Sequence, residues 1–158
     1  MKAKKIILVS SKGGHFAQLQ MLEELFLKYD YLLLTEDSKS TRPLKEKYNI
    51  DFLRSRSEGK GRGILFFWIL IVNFFLTLKI FMKHFPKVII TTGSHTAFPV
   101  CILGRILGVK VVYIVSYARV TTPEKTANLL RPFVNKYVVQ WPEMKEKYPG
   151  SEYLGGIY

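Results

Sequence analysis

The sequence predicts an α/β protein with a doubly wound parallel sheet. Short runs of β-branched apolar residues alternate with helix-length stretches along the 158-residue chain, and 48% of its residues are hydrophobic. Strands separated by helices are typical of βαβ units, which form parallel sheets with right-handed crossovers. A chain of this length can bury a full core, and its ordinary charged fraction excludes a disordered chain or a coiled coil.

Seven short apolar runs are predicted to be the strands of this sheet. They are Lys5–Ser10, Tyr31–Thr35, Ile50–Leu53, Val88–Thr92, Val111–Val115, Tyr137–Gln140 and Glu152–Leu154. Between the first two runs, leucines at helical spacing predict a helix over Phe16–Tyr29. Thr121 or Thr122, followed by Pro123, predicts another helix start, because a hydroxyl can cap the helix and proline fits its first turn. Pro142 predicts a further short helix in the same way.

The net charge is strongly positive, because 24 Lys and Arg residues oppose only 12 Asp and Glu residues. Such a charge favours nucleic acid, the phosphates of a nucleotide sugar or an acidic membrane surface as the partner. We expect no nucleic acid, since no recognition helix or aromatic-stacking pattern accompanies the charges. The one cysteine, Cys101, excludes a disulfide framework, and no His, Asp or Glu spacing suggests a metal site. Neither a metal nor a cofactor is expected.

One predicted helix, over residues 63–83, is apolar on nearly every side. Between residues 64 and 82 only Asn73, Thr77 and Lys79 are not apolar, and a helix of roughly 28 Å is close to the thickness of a bilayer core. A buried core helix would need cover on all sides, which so small a domain can hardly supply. A complete crossing would separate strands that belong to one sheet. We therefore expect a helix that is inserted into the membrane from one side.

This helix is expected to contact lipid through aromatic rings and basic side chains. The predicted membrane residues are Arg62, Phe66, Phe67, Trp68, Phe74, Phe75 and Lys79. Further basic residues that can pair with anionic headgroups are Arg54, Arg56 and Lys60 before the helix and Lys83 and Lys87 after it. The apolar run at the start of the chain is too short for a secretory signal, so we expect the protein at the cytoplasmic face of the cell membrane.

Loops that follow the strands are the predicted ligand site, because open parallel sheets bind ligands at the carboxyl edge. After the first strand come Ser11, Gly13, Gly14 and His15, and the paired glycines allow close approach of a phosphate or sugar. This pattern is neither the dinucleotide fingerprint nor the P-loop, which disfavours classical nucleotide binding. Glu36 lies where a ribose-binding acid would lie, without the glycine pattern that would support that role.

The loop after the Val88–Thr92 strand holds Gly93, Ser94, His95 and Thr96. Gly93 permits a tight turn, while Ser94 or Thr96 either caps the next helix or contacts a ligand. In the loop after the Val111–Val115 strand, an arginine at position 119 is a candidate phosphate contact. A histidine at this edge can act as a general base on an acceptor hydroxyl, or it can simply bond a neighbouring loop.

The loops S-x-G-G-H and T-x-G-S-H and the run Tyr113–Ile157 resemble one known family. It comprises the membrane subunits of split glycosyltransferases. In eukaryotes these anchor the dolichol-linked N-acetylglucosaminyltransferase, and in bacteria similar proteins serve capsule and exopolysaccharide assembly. The resemblance covers nearly the whole chain and is most specific over Tyr113–Arg119, Val138–Glu143 and Tyr148–Gly155.

The resemblance implies the amino-terminal half of a GT-B glycosyltransferase, with one Rossmann-like domain over residues 1–158. A UDP-sugar-binding catalytic subunit would form the carboxyl-terminal half, and this chain would help bind a polyprenyl-diphosphate-linked glycan acceptor. His15 would be the catalytic base or contact the diphosphate. The residues implied in binding the acceptor or its phosphates are Ser11, Gly13, Gly14, Gly93, Ser94, His95, Thr96 and Arg119. The eukaryotic subunit has its membrane segment at the amino terminus, so the internal apolar helix favours the bacterial branch.

Two other functions stay open at this point. One is a non-catalytic scaffold or enhancer that recruits the catalytic subunit to the membrane, and the other is a freestanding nucleotide-binding α/β enzyme. Loss of transfer in a His15→Ala variant that still binds its partner and the membrane would separate a catalytic role from a scaffold. Binding of NAD or a nucleoside triphosphate by the chain alone would favour the freestanding enzyme.

Overall fold

The computed structural model of this chain describes residues 5–55 and 62–157. Its centre is a parallel sheet of seven strands in the order β3-β2-β1-β4-β5-β6-β7. The strands are β1 (Lys5–Ser10), β2 (Asp30–Glu36), β3 (Ile50–Leu53), β4 (Val88–Gly93), β5 (Lys110–Ile114), β6 (Lys136–Val139) and β7 (Glu152–Tyr153). All seven predicted strands are confirmed, and no bound differs from its prediction by more than one residue.

Within residues 5–55 and 62–157, five α-helices connect these strands. They are α1 (Gly14–Gln20), α2 (Glu23–Lys28), α3 (Arg62–His84), α4 (Ala97–Ile106) and α5 (Lys125–Leu130). Short 3₁₀ helices cover Arg42–Glu46, Arg131–Phe133 and Pro142–Lys145. The last of these confirms the helix that was predicted to open at Pro142.

Two helix predictions are corrected by the structure. The helix expected over Phe16–Tyr29 is broken at Met21 and Leu22, whose N–H groups donate to carbonyls three residues back, at 3.2 Å in both cases. The helix expected to start near Thr122 begins only at Lys125. Glu124, the residue before α5, has an extended backbone because its carboxylate accepts from Tyr113 of β5 and from Ser116 in the loop after β5.

The sheet has a core on both faces, because successive side chains of a strand point to opposite sides. Ile6 and Leu8 of β1 pack in one cluster with Phe16 of α1. Ile7 and Val9, which alternate with them, pack in the other cluster with residues of α3, α4 and α5. The chain thus winds from β1 outward to β3, returns through α3 to β4 beside β1, and continues to β7.

The apolar helix α3 exposes apolar side chains and buries uncharged polar ones, which is the reverse of an ordinary surface helix. It links β3 to β4, and both strands belong to one sheet. A complete crossing of the membrane by α3 would therefore separate them. Its buried side carries Asn73, Thr77 and Phe81, while large apolar side chains of the helix are exposed. Among the described residues, Gly63–His84 is the one helix long and apolar enough to cross a membrane, and 17% of its most apolar window is buried.

Hydrogen bonds explain why the polar residues of α3 face the protein. Asn73 accepts from the backbone N–H of Arg54 at 2.7 Å and donates to its carbonyl at 3.0 Å. Thr77 donates to the carbonyl of Asn73 at 2.7 Å, one turn back in the same helix. The two bonds to Arg54 hold the Asn73 side of α3 against the chain after β3, while the bond within the helix satisfies the buried hydroxyl of Thr77.

Candidate functional site

The loops after β1, β4 and β5 meet at the carboxyl edge of the sheet, beside a cavity of about 310 Å³. Three of the predicted site residues line it, namely His15, Ser94 and Arg119, one from each loop. The remaining lining residues lie at the start of α5 and just before it: Thr122, Pro123, Glu124, Lys125 and Thr126. The cavity therefore joins three loops that are far apart in sequence.

The ring of His15 is fixed in one tautomer by the loop after β4. Its Nδ1 lies 2.6 Å from the carbonyl oxygen of Thr92, which can only accept, so Nδ1 carries the hydrogen. In the neutral ring the lone pair is then on Nε2, the nitrogen that can take a proton from a substrate. The Thr92 hydroxyl donates in return to the carbonyl of His15 at 2.7 Å. These two hydrogen bonds, which we call the clasp, join the loop after β1 to the loop after β4.

The glycines before His15 leave one side of this loop open. Gly13 has φ +86°, a backbone conformation that other residues rarely adopt. A Cβ atom at Gly13 or Gly14 would meet no other atom within 4 Å. The backbone at these two glycines is therefore uncovered beside the cavity residue His15.

Gly93 is required where it stands. Its φ is +102°, and a Cβ atom there would collide with the hydroxyl of Tyr113 and the carboxylate of Glu124. The next residue, Ser94, has φ +74°, although it is not glycine. The turn therefore holds a strained serine in the wall of the cavity, a feature that is frequent at functional sites.

Glu124 is a residue of the cavity that the sequence reasoning missed. It is 5% exposed, and its two carboxylate oxygens accept from the hydroxyl of Tyr113 at 2.6 Å and the N–H of Ser116 at 3.0 Å. Its own N–H donates to the hydroxyl of Tyr148 at 2.9 Å. Burial, with the charge of Glu124 beside it, raises the pKa of Tyr113, which stays a hydrogen-bond donor. In the sequence, the position of this acidic residue directly after Pro123 and close to Arg119 could have indicated that it belongs to the site.

A second cluster of polar residues lies beside the cavity and is buried. At its centre is Glu36, which accepts from Thr96 at 2.8 Å and from Ser55 at 3.1 Å. The hydroxyl of Ser11 lies 3.1 Å from that of Thr96, and Nε2 of His95 lies 3.1 Å from a Glu36 oxygen. Three predicted site residues, Ser11, His95 and Thr96, thus belong to this cluster and do not line the cavity.

The carboxylate of Glu36 is ionised within this cluster. Burial alone would raise the pKa of Glu36, but the adjacent ring of His95 and the hydrogen bond from Thr96 outweigh it and lower the pKa from 4.5 to about 2. The capping alternative for Ser94 and Thr96 is wrong, because no side chain caps the start of α4 and the Thr96 hydroxyl donates to Glu36 instead. The acceptor atoms of Glu36 are occupied by the protein itself.

A buried glutamine, also missed from the sequence, joins three elements at the same edge. Gln18 of α1 donates to the hydroxyl of Ser116 at 3.1 Å and accepts from the N–H of Tyr117 at 3.0 Å. Its oxygen also accepts from Gln140, after β6, at 3.1 Å. Gln18 holds the loop after β5 against α1. Its position as a polar residue on the buried side of a predicted helix could have indicated this role.

The predicted membrane residues differ in exposure. Phe67, Trp68 and Phe75 are 61–66% exposed and Lys79 is exposed as well. Phe66 and Phe74 are half-buried, and the ring of Phe66 lies 6.3 Å from that of His95. Arg62 is the first residue of α3. The flanking residues Arg56 and Lys60 lie outside the described part of the chain.

An apolar groove of about 230 Å³ lies between α3 and α4. It is lined by Leu70, Ile71, Phe74, Phe98, Pro99 and Ile102. The groove opens beside the exposed side of α3, since Ile71 is 47% exposed. Within residues 5–55 and 62–157, no three His, Cys, Asp or Glu side chains are placed to hold a metal ion.

Comparison with known proteins identifies similar chains. A family model described as "Oligosaccharide biosynthesis protein Alg14 like" matches residues 6–157. The mouse UDP-N-acetylglucosamine transferase subunit ALG14 is 26% identical over 179 residues, which cover 97% of this chain and 82% of the mouse protein. The human protein of that name is 29% identical over 178 residues, covering 96% of this chain and 82% of its own length.

Solved structures with the same fold are about twice as long as this chain. MurG of Acinetobacter baumannii aligns with a TM-score of 0.72 and 16% identity, over 94% of this chain and 44% of MurG. UDP-N-acetylglucosamine 2-epimerase of Rickettsia bellii aligns with a TM-score of 0.71 and 7% identity, over 98% of this chain and 45% of the epimerase. The predicted α/β fold, with its GT-B-like architecture and one long apolar helix, is confirmed.

Proposed function

The chain belongs to the family of Alg14-like oligosaccharide biosynthesis proteins, and from that premise we propose that it is the membrane-attached, acceptor-binding subunit of a two-chain glycosyltransferase. The observation that carries the proposal is the cavity at the carboxyl edge, where His15, Ser94 and Arg119 meet. Relatives that are named as subunits of a UDP-N-acetylglucosamine transferase support a second, UDP-sugar-binding catalytic chain as the partner. Residues 1–158 would form one domain, with the membrane helix at 63–83.

In the proposed reaction His15 is the general base. Its Nε2 takes the proton of the acceptor hydroxyl while that oxygen attacks the anomeric carbon of the sugar. The bond from this carbon to the diphosphate of UDP breaks, and UDP leaves with the electron pair. The carbonyl of Thr92 stabilises the imidazolium that forms, because it already accepts from Nδ1. The ring then returns its proton to water.

The cations of the cavity are proposed to bind the diphosphate of the acceptor. Arg119 and Lys125 both line the cavity, and charged donors form strong hydrogen bonds to phosphate oxygens. The open backbone at Gly13 and Gly14 allows a phosphate or sugar to approach on the other side. The acceptor chemistry that fits is a diphosphate-linked glycan.

The exposed side of α3 is proposed to lie in the acyl chains of the membrane. Large apolar side chains such as Phe67 and Phe75 are exposed on this side, while the uncharged polar side chains of Asn73 and Thr77 are buried, which suits lipid and not water. The groove between α3 and α4 is continuous with this surface, and we assign it to the polyprenyl chain of the acceptor. The exposed ammonium of Lys79 can then reach anionic headgroups.

The cellular setting that we propose is bacterial capsule or exopolysaccharide assembly at the cytoplasmic face of the cell membrane. What supports it is the internal position of α3 in the chain. Removal of the protein from its native cells is then expected to abolish a surface polysaccharide. Unchanged surface polysaccharide would contradict this setting while leaving the transferase reaction untouched.

A scaffold function is the second candidate, and the clasp between His15 and Thr92 favours it. Two variants separate it from catalysis. His15→Asn keeps a donor in the place of Nδ1 but removes the basic nitrogen, whereas His15→Ala removes both. A catalytic base predicts loss of transfer in both variants. A clasp that only holds the loops predicts that His15→Asn retains transfer and that His15→Ala loses it.

The proposed function is tested by purification and reconstitution. The tagged chain is extracted gently from its native membranes, and a stoichiometric second chain with a nucleotide-sugar domain is expected to copurify. Vesicles that contain both chains should transfer N-acetylglucosamine from UDP-N-acetylglucosamine to a polyprenyl-diphosphate-linked acceptor, and neither chain alone should do so. A chain that comes out alone, remains membrane-bound and supports no transfer when membranes are added back would overturn the proposal.

A further inference from the structure

A second pocket, of about 320 Å³, lies on the face of the sheet opposite α3. We call it the aromatic pocket, and its lining residues are Glu23, Glu24, Phe26, Leu27, Tyr31, Lys47 and Tyr48. Tyr31 lies near the start of β2, and Tyr48 comes just before β3. The aromatic pocket is therefore at the amino edge of the sheet, away from both the cavity of His15 and the exposed side of α3.

Three half-buried rings form the walls of the aromatic pocket. The ring of Phe26 stacks on that of Tyr31, with centroids 4.7 Å apart, and the ring of Tyr48 meets Phe26 edge-on at 6.0 Å. The hydroxyl of Tyr48 accepts from the side chain of Gln20 at 3.2 Å, which fixes the ring from the side of α1. The faces of such rings carry partial negative charge and attract cations.

Helix α2, which forms one side of the aromatic pocket, is poorly covered. None of its six residues is buried, and Leu27 is 91% exposed. This leucine and the partly exposed rings form one apolar patch at the surface. Such patches are typical of surfaces that contact another molecule.

The charge around the aromatic pocket differs in sign from that of the side that carries α3 and α4. Glu23 and Glu24 are exposed at its rim, and within residues 5–55 and 62–157 neither forms a salt bridge. Positions 23 to 51 hold seven acidic and five basic residues, whereas positions 59 to 123 hold eight basic residues and no acidic one. A basic partner is therefore favoured at the aromatic pocket over the side of α3 and α4.

The aromatic pocket already holds one cation, which belongs to the chain itself. The ammonium nitrogen of Lys47 lies 5.0 Å from the centre of the Tyr48 ring. The neighbouring Tyr48 and, to a smaller extent, the charge of Glu23 raise the pKa of Lys47. Two other lysines on this face, Lys28 and Lys45, lie over aromatic rings at 5.8 and 5.5 Å. The rings and acids of this face thus suit a positive charge.

We propose that the aromatic pocket binds an arginine side chain of a protein partner in the aqueous phase, with Glu23 and Glu24 as its anionic contacts. A planar guanidinium can stack on an aromatic ring and donate to a carboxylate at the same time, which a compact ammonium does less well. The proposal does not depend on the proposed function. A partner bound at the amino edge leaves the cavity of His15 and the exposed side of α3 free.

The test measures binding of a synthetic peptide to the full chain in detergent micelles. The probe is acetyl-Gly-Arg-Gly-Arg-Gly amide with an uncharged fluorophore, and fluorescence anisotropy follows its binding. A matched peptide carries citrulline, which has nearly the shape of arginine without its charge. We expect the arginine peptide to bind at least about fivefold more tightly than the citrulline peptide, which is the scale of one cation–π contact. A peptide with lysine in place of arginine should bind with intermediate affinity.

Variants of the lining residues locate the binding site. Glu24→Gln removes a charge at an exposed position, so the fold should be unaffected, and the arginine peptide should bind about threefold to fivefold more weakly. Phe26→Leu removes a ring but keeps an apolar side chain, with a similar loss expected. Lys47→Gln removes the competing cation and should strengthen binding. The matched control is Glu46→Gln, an exposed acid outside the pocket lining, which should leave the affinity unchanged.

Several results would overturn the proposal. Equal affinity for the arginine and citrulline peptides, or no binding of either at millimolar concentration, would show that the pocket does not recognise a cation. Unchanged affinity in Glu24→Gln together with weaker binding in Lys47→Gln would place the peptide elsewhere. Loss of self-association in Leu27→Ser, measured by sedimentation, would assign the pocket to a second copy of the chain, and loss of vesicle binding would assign it to lipid. None of these experiments measures glycosyl transfer, so their failure leaves the proposed function untouched.

Discussion

Helices α3 and α4 are almost equally apolar and pack on the same face of the sheet, yet α4 is buried and α3 is exposed. Helix α4 has 10 residues, and six of them are buried: Ala97, Pro99, Val100, Cys101, Leu103 and Gly104. Helix α3 has 23 residues and exposes rings such as Phe67 and Phe75. Apolar composition alone therefore does not tell whether a helix belongs to a core or to a membrane surface.

The polar residues show what separates the two helices. Helix α4 follows a buried hydroxyl, Thr96, that donates to Glu36, and then packs so closely that a Cβ atom at Gly104 would overlap Ile89 of β4. Helix α3 instead turns Asn73 and Thr77 toward the protein. With its polar groups satisfied inside, the remaining surface of α3 is suited to lipid.

The largest expected difference between the helices is their response to a charge. Val100→Asp places an unpaired carboxylate in the core and should lower the free energy of unfolding by more than about 3 kcal/mol. Phe75→Asp places the same charge on the exposed side of α3 and should change it by less than about 1 kcal/mol. Urea unfolding in detergent-free buffer, where the exposed side of α3 faces water, measures both by circular dichroism. Equal destabilisation would show that α3 is a core helix.

Acid should weaken the contact of Glu36 with Thr96, the residue before α4. The hydrogen bonds of Asn73 and Thr77 in α3 involve no ionisable group and should not respond to acid. The folded pKa of Glu36, about 2, lies below its ordinary 4.5. The stability that Glu36 contributes, up to about 3 kcal/mol, is therefore fully present above pH 4.5 and lost as pH falls toward 2. In Glu36→Gln this acid-dependent part should be missing. Urea unfolding of both proteins between pH 7 and pH 3 measures it, and parallel curves would contradict the assignment.

Membrane affinity should depend on the rings of α3 and not on exposed apolar residues elsewhere. Phe67→Ser and Phe75→Ser should each weaken binding to vesicles at least about tenfold, because a fully buried ring contributes about 2 kcal/mol. The matched control is Leu27→Ser on α2, on the opposite face of the sheet, where the side chain is 91% exposed. Flotation with liposomes should show no change for this control. Equal losses in all three variants would mean that no particular surface is involved.

Basic residues should have the smallest effect. Lys79→Gln and Lys83→Gln are each expected to weaken binding to anionic vesicles by about 1 kcal/mol at low salt, and by much less at high salt. The control is Lys28→Gln on α2, which should leave binding unchanged. Flotation at two salt concentrations measures the effect. A loss that persists at high salt would assign these lysines a role other than electrostatic attraction.

The sheet could be predicted from the sequence because each strand is a short, β-branched run bounded by glycine, proline or polar residues. The sheet also explains why His15, Ser94 and Arg119 come together at one cavity, since all three follow strands and the ends of parallel strands share one edge. Which loop residues line the cavity could not be predicted. Ser94 lines the cavity and the nearby Thr96 does not, because the Thr96 hydroxyl donates to the buried Glu36, sixty positions away in the sequence.

The residues that were missed share one physical property. Gln18 and Glu124 are buried polar side chains whose partners lie on other elements of the fold. The partners of Gln18 are 98 to 122 positions away in the sequence, and those of the Glu124 carboxylate are 8 and 11 positions away. Helical spacing placed Gln18 on α1 but carried no information on these partners. The extended backbone before α5 likewise depends on the bonds of Glu124 to β5 and to the loop after it. Local patterns such as Thr122 followed by Pro123 do not contain such contacts.

The two tryptophans of the chain allow the most direct test of the account, which is that α3 lies in lipid while the carboxyl-edge loops stay in water. Trp68 is 61% exposed on α3, whereas Trp141 is half-buried and donates to the carbonyl of Tyr117 in the loop after β5. Single-tryptophan variants, Trp141→Phe and Trp68→Phe, are bound to vesicles with brominated acyl chains. Strong quenching of Trp68 with little quenching of Trp141 is the predicted result. Unquenched Trp68 in vesicle-bound protein would contradict the account.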